Sequence, residues 1–117
     1  MERNIEVSVV MPVYNEEKYI DRCLASLKKQ TYPKENVEWL FIDGGSSDNT
    51  VKKIEQYGIL NCSILQNEKR LVTYALNIGI KNAIGKFIIR MDAHAEYSEN
   101  YICLLYTSPS PRDTERS

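Results

Sequence analysis

Four short apolar runs alternate along the chain with longer stretches of mixed polarity. The runs are Glu6–Met11, "VEWLFID", "CSILQN" and "KFIIRMD". They are rich in β-branched and aromatic residues, and the first is apolar nearly throughout, which is typical of strands covered on both faces of a sheet. We therefore predict four strands, the first of them buried.

The segments between these runs carry apolar residues at helical spacing. The periodic positions are Tyr19, Ile20, Cys23, Leu24 and Leu27 in the first segment, and Leu71, Tyr74, Ala75 and Ile78 in the third. This spacing predicts a helix in each segment. Asn15 is the expected N-cap of the first helix, and the third is expected to end at Gly85.

A shorter helix is predicted between the second and third strands, over Thr50–Tyr57. Either Asp48 or Asn49 can cap its amino end, and Gly58 is suited to end it in the left-handed conformation. The order is then β-α-β-α-β-α-β, which predicts an α/β fold with a mainly parallel, doubly wound sheet.

Distinctive polar residues follow each predicted strand. In chain order they are Tyr14, Asn15 and Glu16, then Asp43, then Gln66 and Asn67, and finally Asp92. Ligands bind such sheets outside the carboxyl ends of the strands. We therefore expect these residues, distant in sequence, to meet along one edge and form a binding site.

Composition narrows the kind of protein. The chain has 117 residues, 43% of them hydrophobic, and a formal net charge of -1, as expected for one small globular domain. Scattered basic residues argue against nucleic acid as a partner. The cysteines, at positions 23, 62 and 103, lack paired metal-ligand or disulfide spacing, so we predict a reducing, cytoplasmic compartment.

The loop after the first strand, "PVYNEE", indicates which class of ligand the protein can bind. The chain contains neither G-x-G-x-x-G nor G-x-x-x-x-G-K-[ST], and an acidic loop disfavours a closely bound phosphate. A dinucleotide dehydrogenase and a P-loop enzyme are therefore disfavoured. The loop suits a nucleoside, with an aromatic ring for the base and carboxylates for donor groups.

"RMDAHAEY", after the fourth strand, suggests a metal site. Asp92 and His94 stand at i and i+2 and share a side in extended backbone; carboxylate and imidazole together suit Mn²⁺. The candidate site residues can also be interpreted as purely structural. His94 can be merely polar, Glu16 can serve a helix N-terminus, and Asp43 can be turn chemistry. For Lys69 and Arg70, a solvated helix start is favoured over a phosphate contact.

Three segments in order resemble the nucleotide-binding half of a family 2 glycosyltransferase with the GT-A fold. They are "VSVVMPVYNEEKYIDRCLASLKKQTYP", "FIDGGSSDNT" and "GKFIIRMDAHAEY", and the resemblance spans Val7 to Tyr101. "DGGSSDNT" and "RMDAHAEY" are most similar to the bacterial exopolysaccharide subgroup of succinoglycan glucosyltransferases. The fold is then a Rossmann-like nucleotide-binding half.

The resemblance implies roles for the loop residues. Pro12, Tyr14 and Glu16 match the first nucleotide-contacting loop, which lies against the uridine of a UDP-sugar. Asp43 matches an acidic position near the base, although Gly44 stands where the family often has a second acid.

The same resemblance extends to the fourth strand end. Asp92 matches the first acid of the D-x-D motif, which holds Mn²⁺ or Mg²⁺ on the donor diphosphate. His94 takes the place of the last acid. The implied metal ligands are thus Asp92 and His94, with Asp92 also among the donor-binding residues.

The resemblance further implies an activity. Such enzymes move a sugar, with inversion, from a nucleotide diphosphate donor to a glycan or polyprenyl-lipid-linked acceptor in exopolysaccharide or cell-envelope biosynthesis. Their general base lies on the acceptor side, here expected beyond residue 102. The parent enzyme is expected at the cytoplasmic face of the inner membrane, with any membrane attachment supplied by a missing carboxy-terminal region.

The tail has a different character. Residues 103–113, "CLLYTSPSPRD", resemble a translated sequencing adapter. We expect residues 1–102 to form the nucleotide-sugar-binding subdomain of a truncated enzyme, and residues 103–117 to be a non-native, disordered tail. Such a fragment is expected not to turn over. Two alternatives stay open: a non-catalytic nucleotide-binding module, which needs no metal, and an inactive truncated fragment.

Overall fold

The computed structural model describes residues 4–107 and contains the predicted alternation of strands and helices. The strands are β1 (Val7–Val13), β2 (Val37–Asp43), β3 (Cys62–Gln66) and β4 (Phe87–Arg90). The helices are α1 (Ile20–Lys28), α2 (Thr50–Tyr57), α3 (Val72–Asn82) and α4 (Tyr101–Thr107), with a 3₁₀ turn at Lys34–Asn36. The predicted order is confirmed, and the bounds of α2 agree with the sequence prediction.

The four strands form one sheet in the order β3-β2-β1-β4, and all three pairings are parallel. β1 extends further toward the carboxyl end than predicted and includes Pro12. β4 pairs with β1 only as far as Val10, so at Pro12 the strand has a ladder partner on the β2 side alone. A residue without an N–H is tolerated at such an edge position.

The larger core lies between one face of the sheet and α1, α2 and α4. Cys23 and Leu24 of α1, Ile54 of α2 and Ile102 of α4 are all buried there, and Trp39 of β2 is 5% exposed. Burial raises the pKa of Cys23 to about 12, so the thiol stays protonated and serves as packing. The predicted core positions of Cys23 and Trp39 are confirmed.

The opposite face of the sheet is covered by α3, which approaches β1 closely. A Cβ placed on Gly79 would lie 2.4 Å from Cγ1 of Val10. The glycine that weakens the helical pattern in sequence is therefore the residue that lets α3 pack against the sheet.

A buried polar network lies beyond α3. Oγ of Ser8 donates to Glu38 at 2.6 Å, and the N–H of Ile84 donates to the same carboxylate oxygen at 2.8 Å. The N–H of Gly85 donates to Ser8 at 2.8 Å. These bonds satisfy the buried polar groups of β1 and β2, and they hold the chain in the turn between α3 and β4.

Several boundaries differ from the sequence prediction. The first helix begins at Ile20, and Asn15 is not its cap. α3 ends at Asn82 rather than Gly85, and β4 ends at Arg90, so Asp92 lies in the loop beyond the strand. Gly58 ends α2 with φ of 73°, as predicted.

α4 differs from the expected unstructured tail. Residues 103–107 of that expected tail belong to α4, which runs to Thr107. Ile102, just before them, is fully buried, and its N–H donates to Oε1 of Gln30 at 3.0 Å. Residues 108–117, on which the rest of that prediction falls, lie outside the described part. Among residues 4–107, no helix is long and apolar enough to cross a membrane.

Candidate functional site

The loops after β1 and β2 are joined at the carboxyl edge of the sheet. Asn15, with φ of 50°, donates its N–H to Oγ of Ser46 at 2.9 Å, and its side-chain oxygen accepts the N–H of Ser47 at 2.8 Å. Asn15 thus links the two loops instead of capping α1. Its left-handed backbone is one that Asn adopts more readily than most residues.

Asp43 lies beneath this junction. Its side chain is buried, and its carboxylate accepts the N–H of Gly45 at 3.2 Å and the hydroxyl of Ser46 at 2.6 Å. These are the bonds of an Asx-type turn. The carboxylate therefore shapes the β2 loop, and it does not line the neighbouring cleft.

Glu16 meets His94 across the β1 and β4 loops. Oε1 of Glu16 lies 3.1 Å from Nε2 of His94, and the Glu16 side chain is 12% exposed whereas that of His94 is 63% exposed. Tyr19 packs on the imidazole, with ring centroids 4.9 Å apart. The predicted first-loop acid and the predicted metal-site histidine are in direct contact.

The pKa of Glu16 is raised. Burial is the largest cause; His94 and a hydrogen bond from the Tyr14 backbone act in the opposite direction, and the carboxylates of Asp48 and Asp92 raise it further. The charge of Asp92 thus acts on Glu16, and we call Glu16, His94 and Asp92 the cluster of the β1 and β4 loops. Groups with shifted pKa values beside charged neighbours are common at functional sites.

Asp92 stands at the rim of this cluster. Its side chain is 64% exposed, and Oδ1 lies 3.6 Å from a guanidinium nitrogen of Arg90. Its backbone N–H donates to the hydroxyl of Tyr97 at 2.7 Å. Ala93 is buried in the core and Asp92 and His94 are exposed. The backbone turns here, with the N–H of Ala95 donating to the carbonyl of Asp92 at 3.2 Å, so the extended backbone assumed for the i and i+2 pair is absent.

A small cleft opens beside the cluster. It has a volume of about 120 Å³ and is lined by Pro12, Tyr14, Glu16, Gly44, Asn67 and Arg70, with apolar residues from β1, β2 and α3. Ligand pockets usually enclose about 300–1,000 Å³, so this cleft can enclose one part of a nucleotide sugar, such as its base. Three of the predicted donor-binding residues thus line one cavity.

Arg70 contributes to the site, whereas the sequence predicted a solvated residue at this position. Its guanidinium lies 4.5 Å from the centroid of the Tyr14 ring, and its Nε donates to the carbonyl of Gly44 at 3.0 Å. It is not simply a solvated residue at the start of α3, because it connects the loops after β1, β2 and β3. Its position next to "NEK", in the loop after β3, was the available signal.

The donor chemistry of the cluster suits a divalent cation in part. Asp92, Glu16 and His94 provide carboxylate oxygens and one imidazole, a set compatible with Mn²⁺. Among residues 4–107, no three histidine, cysteine or acidic side chains are arranged to hold a metal ion by themselves. The residues fit a cation that takes its remaining ligands from elsewhere, as Mg²⁺ and Mn²⁺ do from substrate phosphates.

Two other proteins are similar to this chain over most of its length. A glucuronosyltransferase of Methanococcus voltae, which acts on dolichyl N-acetylglucosaminyl phosphate, is 44% identical over 100 residues, covering 82% of this chain and 31% of the relative. A crystal structure of residues 1–349 of Staphylococcus aureus TarS with UDP superposes with a TM-score of 0.78 at 31% identity, covering 88% of this chain and 31% of that crystallised chain.

A third similar structure contains a metal. It is the mannosyltransferase PcManGT of Pyrobaculum calidifontis with GDP-mannose and Mn²⁺, with a TM-score of 0.73 at 27% identity, covering 79% of this chain and 28% of PcManGT. This chain therefore spans about a third of the length of the Methanococcus relative and of the two crystallised chains, and 17% of the full TarS sequence. The family profile for glycosyl transferase family 2 matches residues 8–108. On this match and these relatives, the chain, with its Rossmann-like GT-A fold, belongs to glycosyl transferase family 2.

Proposed function

We propose that this chain is the donor-binding part of an inverting glycosyltransferase that uses a nucleotide diphosphate sugar, with UDP as its nucleotide. The observation that carries the proposal is the meeting of two features at one sheet edge. The first is a cleft walled by Tyr14 and Arg70, and the second is the contact of Glu16 with His94, whose loop also carries Asp92.

The two features suit the two ends of a donor. Tyr14 offers an aromatic face for the base, and its stacked Arg70 offers positive charge toward phosphate. TarS, which is similar over most of this chain, has been crystallised with UDP. PcManGT takes GDP-mannose, so the choice of UDP rests on the resemblance of the first loop and is the point that a nucleotide competition tests.

Asp92 and His94 are the proposed holders of Mn²⁺ or Mg²⁺, beside Glu16. When bound, such a cation supplies Lewis-acid stabilisation of the charge that develops on a diphosphate leaving group. Pro12, Tyr14, Glu16 and Asp92 contact the donor in this proposal. Asp43 acts through the shape of the β2 loop.

The acceptor side is proposed to come from a longer protein. A glycan or polyprenyl-lipid-linked acceptor and a general base beyond residue 102 complete the reaction, in exopolysaccharide or cell-envelope biosynthesis on the cytoplasmic side of the membrane. Residues 1–102 then act as the donor-binding subdomain, and the chain alone binds nucleotide without transferring sugar.

Calorimetric titration with UDP, with and without Mn²⁺, tests the proposal. We expect Mn²⁺ to tighten UDP binding, and Asp92→Asn to abolish that gain, because it removes the anionic ligand. The loss should be at least about tenfold, or about 1.4 kcal/mol. Glu35→Gln removes one charge from the turn before β2, at the amino ends of the strands. It is the control and should bind as the wild type does.

The outcomes separate the alternatives. Metal-independent UDP binding that Asp92→Asn leaves unchanged would support a non-catalytic nucleotide-binding module instead. Absence of binding to UDP, GDP and ADP by the folded chain would overturn the donor-binding proposal. Sugar transfer by the purified chain would contradict the inactive-fragment part alone.

A further inference from the structure

The hydroxyl of Thr50 lies between two loops. Thr50 is the first residue of α2 and is fully buried. Its Oγ1 accepts the backbone N–H of Glu16 at 2.8 Å and donates to Oδ1 of Asp48 at 2.6 Å. One hydroxyl therefore joins the start of α2 to the loop after β1.

The Asp48 carboxylate accepts hydrogen bonds from both the start of α2 and the β1 loop. Oδ1 also accepts the backbone N–H of Thr50 at 3.0 Å, and Oδ2 accepts the backbone N–H of Glu17 at 3.2 Å. The side chains of Asp48 and Thr50 thus receive two successive amides of the β1 loop. With two adjacent amides fixed, the backbone of Glu16 has little freedom to rotate.

Helix capping explains only part of this network. The bond between Asp48 and the N–H of Thr50 serves α2, whose N-cap residue Asn49 makes no side-chain cap hydrogen bond. The bonds to Glu16 and Glu17 reach back 34 and 31 residues along the chain. These two bonds lie outside the α2 ladder, and together with the bonds of Asn15 to Ser46 and Ser47 they fix the β1 loop.

This network sets the direction of the Glu16 side chain. Glu16 leaves its fixed backbone toward His94, and its carboxylate, only 12% exposed, ends 3.1 Å from Nε2. His94 comes from the β4 loop, on the other side of β1 from β2. A change in the backbone at Glu16 would therefore separate groups that the fold brings together from three loops.

We propose that Thr50, oriented by Asp48, is a positioning residue that holds the Glu16 carboxylate against His94 at the donor-binding edge. What this edge binds rests on the function proposed above. The position of Glu16 is a property of the chain itself and can be measured without any ligand.

Thr50→Val and Thr50→Ser form a matched pair for the test. Valine keeps the shape of the side chain and removes the hydroxyl, whereas serine keeps the hydroxyl. His94 is the chain's single histidine, so its ring protons are identifiable by NMR. In Thr50→Val we expect neither a nuclear Overhauser effect between His94 and Glu16 nor exchange protection of the Glu16 amide, and in Thr50→Ser we expect both.

Affinity supplies the functional readout. Loss of one hydrogen bond corresponds to about a fivefold change in an equilibrium, so Thr50→Val should weaken UDP–Mn²⁺ binding about fivefold. Thr50→Ser should bind within about twofold of the wild type. A merely structural role would lower the melting temperature of Thr50→Val and leave the affinity of the folded protein unchanged, which contradicts the proposal.

The experiments distinguish failure of the positioning role of Thr50 from failure of the donor-binding function. Suppose that the wild type binds no nucleotide, while the nuclear Overhauser effect between His94 and Glu16 is present in the wild type and absent from Thr50→Val. That result overturns the function and supports the positioning role. The same effect at full strength in Thr50→Val overturns the positioning role. If the valine variant does not fold, the wild type still decides, because rapid exchange of its Glu16 amide contradicts a bond to Thr50.

Discussion

Among single residues, Gly79 sets the distance between α3 and β1. Alanine in a helix interior is ordinarily about 0.8–1.0 kcal/mol more favourable than glycine. Here the new methyl would lie 2.4 Å from Cγ1 of Val10, and overpacking a core typically costs about 1–3 kcal/mol. We therefore expect Gly79→Ala to lower the free energy of unfolding by up to about 2 kcal/mol, measured by urea denaturation.

A double-mutant cycle checks that Val10 is the cause. Val10→Ala removes the methyl groups that the new Cβ would meet, so Gly79→Ala should cost less in that background than in the wild type. Gly58→Ala, at φ of 73° with nothing within 4 Å of its Cβ, gives the cost of backbone strain alone. Equal losses for Gly79→Ala in both backgrounds would show that the Val10 contact is not responsible.

At the scale of elements, α2 and the β1 loop share the Asp48 carboxylate. Burial would raise the pKa of Asp48, but hydrogen bonds from Thr50 and from the Glu17 backbone outweigh it, and the pKa is lowered. A lowered carboxyl pKa adds stability above the unfolded value, about 3.9, and that stability is lost as pH falls through the folded value. We expect Asp48→Asn to be less stable than wild type at pH 7.

The difference between the two proteins should shrink as the pH falls from 7 to 2 through the lowered pKa of Asp48, because the wild-type carboxyl then also becomes protonated. Urea unfolding at both pH values measures it. Glu35→Gln is again the control, since it alters an exposed acid of the Lys34–Asn36 turn, outside this junction. An Asp48→Asn deficit of equal size at pH 2 and pH 7 would mean that the charge does not contribute.

At the scale of the whole molecule, β4 forms one edge of the sheet. It pairs with β1 alone among the described strands. Large apolar side chains about half exposed lie there and on neighbouring α4: Phe87, Ile88, Leu104 and Leu105. Unpaired edges with apolar side chains promote association, so we expect the purified chain to self-associate at micromolar concentration.

Ile88→Lys should reduce this association, because a charge on an edge strand disfavours pairing with another edge. Sedimentation velocity measures the change. Ile80→Lys places the same charge on α3, where Ile80 is 54% exposed against 46% for Ile88, and it should leave association unchanged. Equal effects of the two substitutions would point to general surface hydrophobicity instead of the edge.

Local patterns in the sequence were sufficient for the four strands and for α1, α2 and α3, but not for α4. β-branched runs, helical spacing and Gly58 are near-neighbour signals, and the order β-α-β-α-β-α-β leads to a parallel sheet through the handedness of its crossovers. The convergence of Tyr14, Glu16, Asp92 and His94 on one edge followed from that topology. The family itself was recognisable from three motifs, and the match over residues 8–108 confirms it.

Side-chain partners were not predictable in the same way. Asn15 matches the pattern of a cap, yet its partners are Ser46 and Ser47 of another loop. Arg70 stands in a polar stretch that is typical of a solvated helix start, yet it packs on Tyr14. Both choices depend on loops that are 31 or more residues apart in sequence, and a local pattern carries no information about which of them become neighbours.

The sequence by itself determined the order of the elements, the core faces and the edge at which polar groups gather, because these depend on periodicity and chain connection. Only the tertiary structure decided what each polar group does there. Asp43 shapes a turn, Thr50 reaches the backbone of Glu16, and Glu16 meets His94. The physical reason is that hydrogen bonds act over about 3 Å, and distances of that size between distant loops exist only once the sheet has formed.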